Sequence, residues 1–192
     1  MKKVLIINGN PDEESLSNSF ALKYEQGAKA AGTACDTIHL RKLSFNPVLQ
    51  FGYRQRTELE PDLLNAQEAI KKADHLVFVF PTWWGVYPAL LKGFFDRVFL
   101  PGFSFKYREN SILWDKLLKG KTARLIVTMD SPVWYNRFMY KNAGINAVKK
   151  ATLKFCGVKP VRVTSFGNVR KASKNKIENW LHKIEGLGKK VA

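Results

Sequence analysis

A chain of 192 residues that is 45% hydrophobic is long enough for one domain with a sizeable core. This composition excludes a disordered protein, and no apolar run approaches the length of a membrane span. The net charge of +16 is uneven: residues 1–100 hold 12 Lys/Arg against 11 Asp/Glu, and residues 101–192 hold 20 against 5. A positive half suits nucleic acid, an anionic membrane surface or an acidic partner; as a plain solvated surface it steers anionic ligands. The two cysteines, Cys35 and Cys156, lie far apart, with no C-x-x-C and no metal-ligand spacing, so a reduced cytoplasmic protein is the simple reading.

The start, "MKKVLIINGN", has too short an apolar run, Val4 to Ile7, for a signal peptide. "KVLIIN" (3–8) reads instead as a strand covered on both faces. Residues 18–31 read as a helix, with Ala21, Tyr24, Ala28 and Ala31 on one face and Gly32 as the stop. "CDTIHL" (35–40) is a second strand, followed by a long irregular stretch over 41–60. A helix follows from Pro61, then the most apolar strand, "HLVFVF" (75–80), then a helix over 88–99. "ARLIVTM" (123–129) and "PVRVTSF" (160–166) predict the fourth and fifth strands, with helices over 141–155 and 173–186. The basic tail "GKKVA" reads as frayed.

Five strands alternating with five helices predict a single α/β domain, a parallel sheet with helices on both faces. Ligands of such sheets bind beyond the carboxyl ends of the strands, near the point where strand order reverses. The loop after the first strand, "NGNPDEESLSNSFA", sets Ser15, Ser17, Asn18 and Ser19 at a helix start. Unpaired N–H groups there attract phosphate, and hydroxyls and an amide add neutral donors. The P-loop and dinucleotide fingerprints are both absent. The plain alternative is a capped helix without a ligand. The loop after the third strand, "PTWWGVYP", puts Trp83 and Trp84 side by side in a turn. An indole can face a flat aromatic ring, and turn N–H groups can bond its heteroatoms. The alternative is that both pack beneath the 41–60 loop. After the fourth strand, Thr128, Asp130 and Ser131 offer polar edges, and Trp134, Tyr135, Phe138 and Tyr140 can wall a pocket. A phosphate site, a flat aromatic site and a polar edge on neighbouring loops together describe a flavin mononucleotide.

"FPTWWGVYPALLKGFFDRVFLPGFSFKY" resembles the central motif of the NAD(P)H:quinone oxidoreductase family, and "NPDEESLSN", "ELEPDLLNAQEAIKKADHLVFVFP" and "FCGVKPVRVTSFG" resemble its flanking segments. The likeness covers nearly the whole chain. It implies a flavodoxin-like fold, three layers around a five-stranded parallel sheet of order 2-1-3-4-5. It also implies bound FMN, with FAD as the alternative, and a homodimer. Two-electron, ping-pong reduction of a quinone-like acceptor by NADPH or NADH is the implied activity. An accessory, regulatory or electron-transfer flavoprotein with little turnover of its own is the rival reading, with the basic surface available for peripheral docking; nucleic-acid binding lacks a motif.

Carried over by position, Asn10, Ser15, Ser17 and Asn18 match the family's first cofactor loop. Pro81, Thr82, Trp83, Trp84 and Gly85 match the segment beside the flavin ring, and Thr128, Met129, Asp130 and Ser131 match the third loop. Asn10 stands where many members have His, and "TMDSP" where several have T-T-G-G. The latter change sets an acid at the ring edge, where it works against a bulky or anionic acceptor. Tyr135 matches a family catalytic Tyr, without the His that accompanies it in some members. His39, His75 and His182 read as structural. Phe94, Phe95, Phe99 and Phe103 read as an exposed aromatic surface suited to an interface.

Overall fold

The computed structural model describes residues 2–191. Its main sheet contains β1 (Lys3–Asn8), β2 (Ala34–His39), β3 (His75–Pro81), β6 (Thr122–Thr128) and β7 (Val161–Phe166). These are ordered β2-β1-β3-β6-β7, and every pairing is parallel. That is the predicted 2-1-3-4-5 order, counted along the sheet-forming strands. The register aligns Asn8 with Val79 and Pro81 with Thr128, so β1, β3 and β6 end close together.

Alternation along the strands sorts residues between two helical layers. Val4, Ile6, Val77, Val79 and Ile126 face α1 (Leu16–Ala30) and α6 (Lys174–Lys189) through Phe20, Ala21, Tyr24, Ala28 and Ile184. Leu5, Ile7, Leu76, Phe78, Phe80, Leu125 and Val127 face the other layer, which includes α2 (Pro61–Lys72) and α3 (Ala89–Val98). A short helix, α4 (Val133–Phe138), follows β6; α5 (Ala143–Asn146) continues into a π-helical stretch, Ala147–Lys154.

Several sequence expectations change. A small antiparallel hairpin, β4 (Phe105–Tyr107) with β5 (Trp114–Lys116), was not expected. Phe94, Phe95 and Phe99 are not surface aromatics: all three are buried, and Phe103 packs against the same core. What covers them is the 41–60 segment. Arg97 is 1% exposed and reaches into that segment, donating to the carbonyls of Asn46 and Glu58 and to the Glu60 carboxylate. A Cβ on Gly93 would lie 2.4 Å from Pro47 Cβ, so only glycine lets the segment settle on α3. The tail is docked rather than frayed through residue 191. Gly188 is buried against α1, and the Lys2 ammonium donates to the Val191 carbonyl.

Cys35 and Cys156 are free and buried, and burial pushes the Cys35 thiol up to about 12. No helix among the described residues is long and apolar enough to cross a membrane.

Candidate active site

Asn8 closes the apolar run of β1 with a buried amide, and that amide organises the first loop. Its Nδ2 donates to Asn18 Oδ1 at 3.2 Å and lies 3.4 Å from His39 Nδ1, while its Oδ1 accepts from the Asn10 N–H. Asn10 Oδ1 in turn accepts from the Asp12 N–H. Asn10 therefore shapes the loop with its carbonyl and keeps only its NH2 for a ligand. Ser15 is the N-cap of α1: its hydroxyl donates to Asp12 O and accepts from Asn18 N–H. Within this structure the Ser15 hydroxyl is engaged in capping the helix and closing the loop.

Removing these two hydroxyl and carbonyl groups leaves a defined set of donors. The N–H groups of Leu16 and Ser17 have no partner among the described residues. Ser17 is buried, and its hydroxyl lies 3.3 Å from that of Thr128, also buried, at the end of β6. Two free N–H groups at the start of the fifteen-residue α1, with hydroxyls from Ser17 on that helix and Thr128 at the end of β6, form a set of neutral donors suited to an anion, a neutral cradle.

After β3 the chain makes one tight turn, Trp83 to Val86, closed by Trp83 N–H to Val86 O at 2.7 Å and Val86 N–H to Trp83 O at 3.0 Å. The central residues, Trp84 at φ 51° and Gly85 at φ 77°, are both left-handed, as a type I′ turn needs. Glycine takes this conformation freely, whereas Trp84 holds it at a steric cost. Trp84 is fully exposed (101%) and Trp83 is 46% exposed. Neither indole packs beneath the 41–60 segment. The strained residue thus presents a bare indole, with the Trp84 and Gly85 N–H groups free. Thr82 and Trp83 are spent, since Thr82 N–H donates to Thr128 O and Trp83 N–H closes the turn.

The third loop is tied to the segment after β7. Met129 is buried, its N–H donates to Phe166 O, and its carbonyl accepts from Val169 N–H. Met129 therefore extends the sheet with both of its backbone groups. Asp130 accepts from the Arg170 N–H and pairs with its guanidinium at 3.0 Å; the Ser131 carbonyl accepts from Asn168 N–H. The N–H groups of Asp130 and Ser131 stay free among the described residues.

The 133–144 segment then folds over the tryptophan turn. Asn136 and Asn142 join it internally through Asn136 Nδ2 to Asn142 Oδ1 at 3.0 Å. Gly144 N–H donates to Gly85 O, and Tyr140 lies against Gly85. Tyr135 meets Tyr140 edge to face at 5.4 Å, and hydrogen-bonding contact with the Tyr135 phenol raises the Tyr140 pKa. Tyr140 and Gly144 thus join Tyr135 as neighbours of the turn. The sequence flagged the Tyr140 ring but nothing in it flagged Gly144 or Arg170. Asn8, by contrast, had a legible signal, a polar residue ending an apolar strand.

The histidines stand apart. His75 is buried at the opposite end of β3, 2.6 Å from Thr122 Oγ1 and 3.4 Å from the Tyr24 hydroxyl, and burial lowers its pKa to about 4. His39 supports Asn8, and burial followed by Lys42 and Arg41 lowers its pKa.

A 2-1-3-4-5 parallel sheet between two helical layers, with a neutral anion cradle and a bare indole on neighbouring carboxyl-end loops, defines a flavodoxin-type α/β protein. The chain belongs to the flavodoxin-like fold family, whose pattern matches residues 2–187. It is 36% identical to human ribosyldihydronicotinamide dehydrogenase [quinone] over 188 residues, covering 82% of this chain and 78% of the relative. It is 29% identical to an uncharacterized NAD(P)H oxidoreductase of Haemophilus influenzae, covering 91% of this chain and 90% of the relative. Among solved structures, Smu.1420 from Streptococcus mutans UA159 superposes with a TM-score of 0.84 at 27% identity, covering 98% and 99% of the two chains.

Proposed function

We propose that the protein is a flavin-dependent NAD(P)H oxidoreductase that reduces quinone-like acceptors by two electrons in ping-pong fashion. The observation that carries this reading is the left-handed, fully exposed Trp84 beside free N–H groups, on the loop adjoining the Ser17–Thr128 cradle. An exposed indole held in a strained turn has no packing role, and a flat ring stacked on it would supply one. The relatives named as NAD(P)H oxidoreductase and quinone dehydrogenase support the reaction class.

The residues present fit a flavin. The Leu16 and Ser17 N–H groups with the Ser17 and Thr128 hydroxyls would hold its phosphate. The Asn10 and Asn18 NH2 groups supply donors alongside. The Trp84, Gly85, Asp130 and Ser131 N–H groups would meet the ring edge, where they favour developing negative charge. When bound, the flavin supplies the two-electron redox chemistry. The protein's part is to bind, to orient and to keep one ring face open for donor and acceptor in turn. The Tyr135–Tyr140 pair would border that face, with Tyr135 in the catalytic position.

FMN suits the first loop better than FAD. Asp12, Glu13 and Glu14 follow Asn10, and the adjacent guanidinium of Arg41 is already paired with Glu13. A second phosphate would meet uncompensated acids there. Either NADPH or NADH is the donor. Val86, Trp134, Phe138 and Met139 form an exposed apolar surface around the turn, which supports a homodimer closing over the site. Buried free thiols suit a reducing cytoplasm.

The test is the visible absorbance of purified protein, followed by anaerobic NADPH. Flavin bands that bleach, and recover with a soluble quinone, are the expected result. Bands that never bleach would favour an electron-transfer role. A colourless protein that also refuses added FMN would overturn the site.

A further inference from the structure

We propose a second ligand site at the amino end of the sheet, for a compact polyphosphorylated molecule. A cavity of about 610 Å³ opens there, beside the start of β7, lined by Lys116, Lys119, Lys149, Lys154 and Lys159 around Trp114. No Asp or Glu is among its lining residues. The lysines come from separate pieces of chain: β5 and the turn after it, the π-helical stretch, and the lead into β7. A seven-residue strand spans about 20 Å, so this cavity and the tryptophan turn lie at opposite ends of the sheet.

The walls are built rather than incidental. Trp114 stacks on Phe155 at 4.4 Å and donates from Nε1 to the Phe155 carbonyl at 2.9 Å. The Lys116 ammonium lies 5.4 Å from the centroid of that indole, so the tryptophan meets both Phe155 and a cation. Gly157, at φ 102°, packs on the Lys116 and Lys119 stems: a Cβ there would meet them at 2.9 and 3.1 Å. Leu118 N–H to Cys156 O and Lys159 N–H to Lys121 O tie the segments together. The ion-paired lysines among the described residues are Lys29, Lys71, Lys92 and Lys189, none of them in this cavity. Asp115, the acid on β5, is held by Arg108.

Five lysines without an ion-pair partner among the described residues line one concavity and concentrate positive charge there, which a multivalent anion would neutralise. Phe155 stacks on the indole and the Lys116 ammonium lies near its ring, so the site offers charge more than a free stacking surface. A single phosphate neutralises too little of it. A chain of linked phosphates fits both the volume and the charge, so the class is a polyphosphate rather than a flat aromatic anion.

Titration calorimetry of the full chain with sodium tripolyphosphate, inorganic phosphate and a random single-stranded oligonucleotide tests this. Tripolyphosphate should bind saturably at one per chain, at least about tenfold more tightly than phosphate. Lys149→Gln with Lys159→Gln should weaken it at least about tenfold, with unfolding temperature and absorbance unchanged. Lys174→Gln with Lys190→Gln, an equal charge loss outside the cavity, should change it less than about twofold. Equal losses in the two double variants, or equal affinity for phosphate, would overturn the proposal. So would tighter binding of the oligonucleotide at the same salt, which would reassign the surface to nucleic acid.

Discussion

The two ends of the sheet handle negative charge in opposite ways. At the carboxyl end, the cradle contains no cation: it relies on helix N–H groups, two hydroxyls and amides, and the nearby acids Glu13 and Asp130 have arginine partners. At the amino end, five lysines gather without carboxylates around one cavity. Oriented dipoles act at short range and depend on geometry, whereas bare ammonium groups act at a distance and yield to salt. The first arrangement selects a ligand by shape. The second suits a compact polyphosphate.

The sharpest way to break the comparison is to put a charge where the carboxyl end has none. Ser17→Asp places a carboxylate among the N–H groups meant for a phosphate. Flavin affinity should fall by about a thousandfold, near 4 kcal/mol, the scale of an uncompensated charge in a buried site. Fluorescence titration with FMN measures it, and circular dichroism checks the fold. Retained affinity would show that the phosphate lies elsewhere.

A second test reads the field at the amino end through His75. Burial, then the charges of Arg124, Lys2 and Arg162, lower its pKa from 6.5 to about 4. The folded protein therefore binds this proton less readily than the unfolded chain. The stabilisation is full above pH 6.5 and is lost as pH falls toward 4, about 3 kcal/mol in all. Urea unfolding at pH 7 and pH 4.5 should show that slope in the native protein. His75→Gln should flatten it.

The fold was legible because its strands are continuous apolar runs and its helices keep strict spacing, as in "HLVFVF" and in Leu63, Ala66 and Ile70. The β4–β5 hairpin was not, since three-residue strands are too short to show alternation. Phe94, Phe95 and Phe99 misled because only the fold shows that the 41–60 segment lies over α3. At the candidate site, residue types pointed to the loops after β1, β3 and β6, which the fold brings to one end of the sheet. They could not show which groups were already spent: the Ser15 hydroxyl as a cap, and the Met129 and Thr82 N–H groups as sheet extensions. The lysine cavity was invisible for a related reason. Its five members are scattered over 44 positions, Lys116 to Lys159, and only topology gathers them.

A third, smaller effect should separate stability from function at one residue. Trp84→Gly removes a bulky side chain from φ 51° and should stabilise the protein without flavin by about 1 kcal/mol. The same change removes the exposed indole, so NADPH-driven quinone turnover should fall about tenfold. Thermal unfolding and steady-state rates read the two separately. A gain in stability with full activity would mean that the indole does not meet the ring.

The smallest effect concerns Asp130, the acid on the third loop. Its pair with Arg170 is exposed on both sides, with side chains 55% and 85% accessible, so Asp130→Asn should change stability by less than about 0.5 kcal/mol. Its influence on acceptors is a different matter. Removing the carboxylate frees the Arg170 guanidinium beside the free N–H groups of residues 130 and 131, and turns a locally neutral edge positive. Turnover of an anionic quinone should then rise about two- to threefold relative to a neutral one at low salt, and the difference should vanish as salt screens it. If the two acceptors respond alike, Asp130 serves to anchor the loop to Arg170, and acceptor charge is read elsewhere.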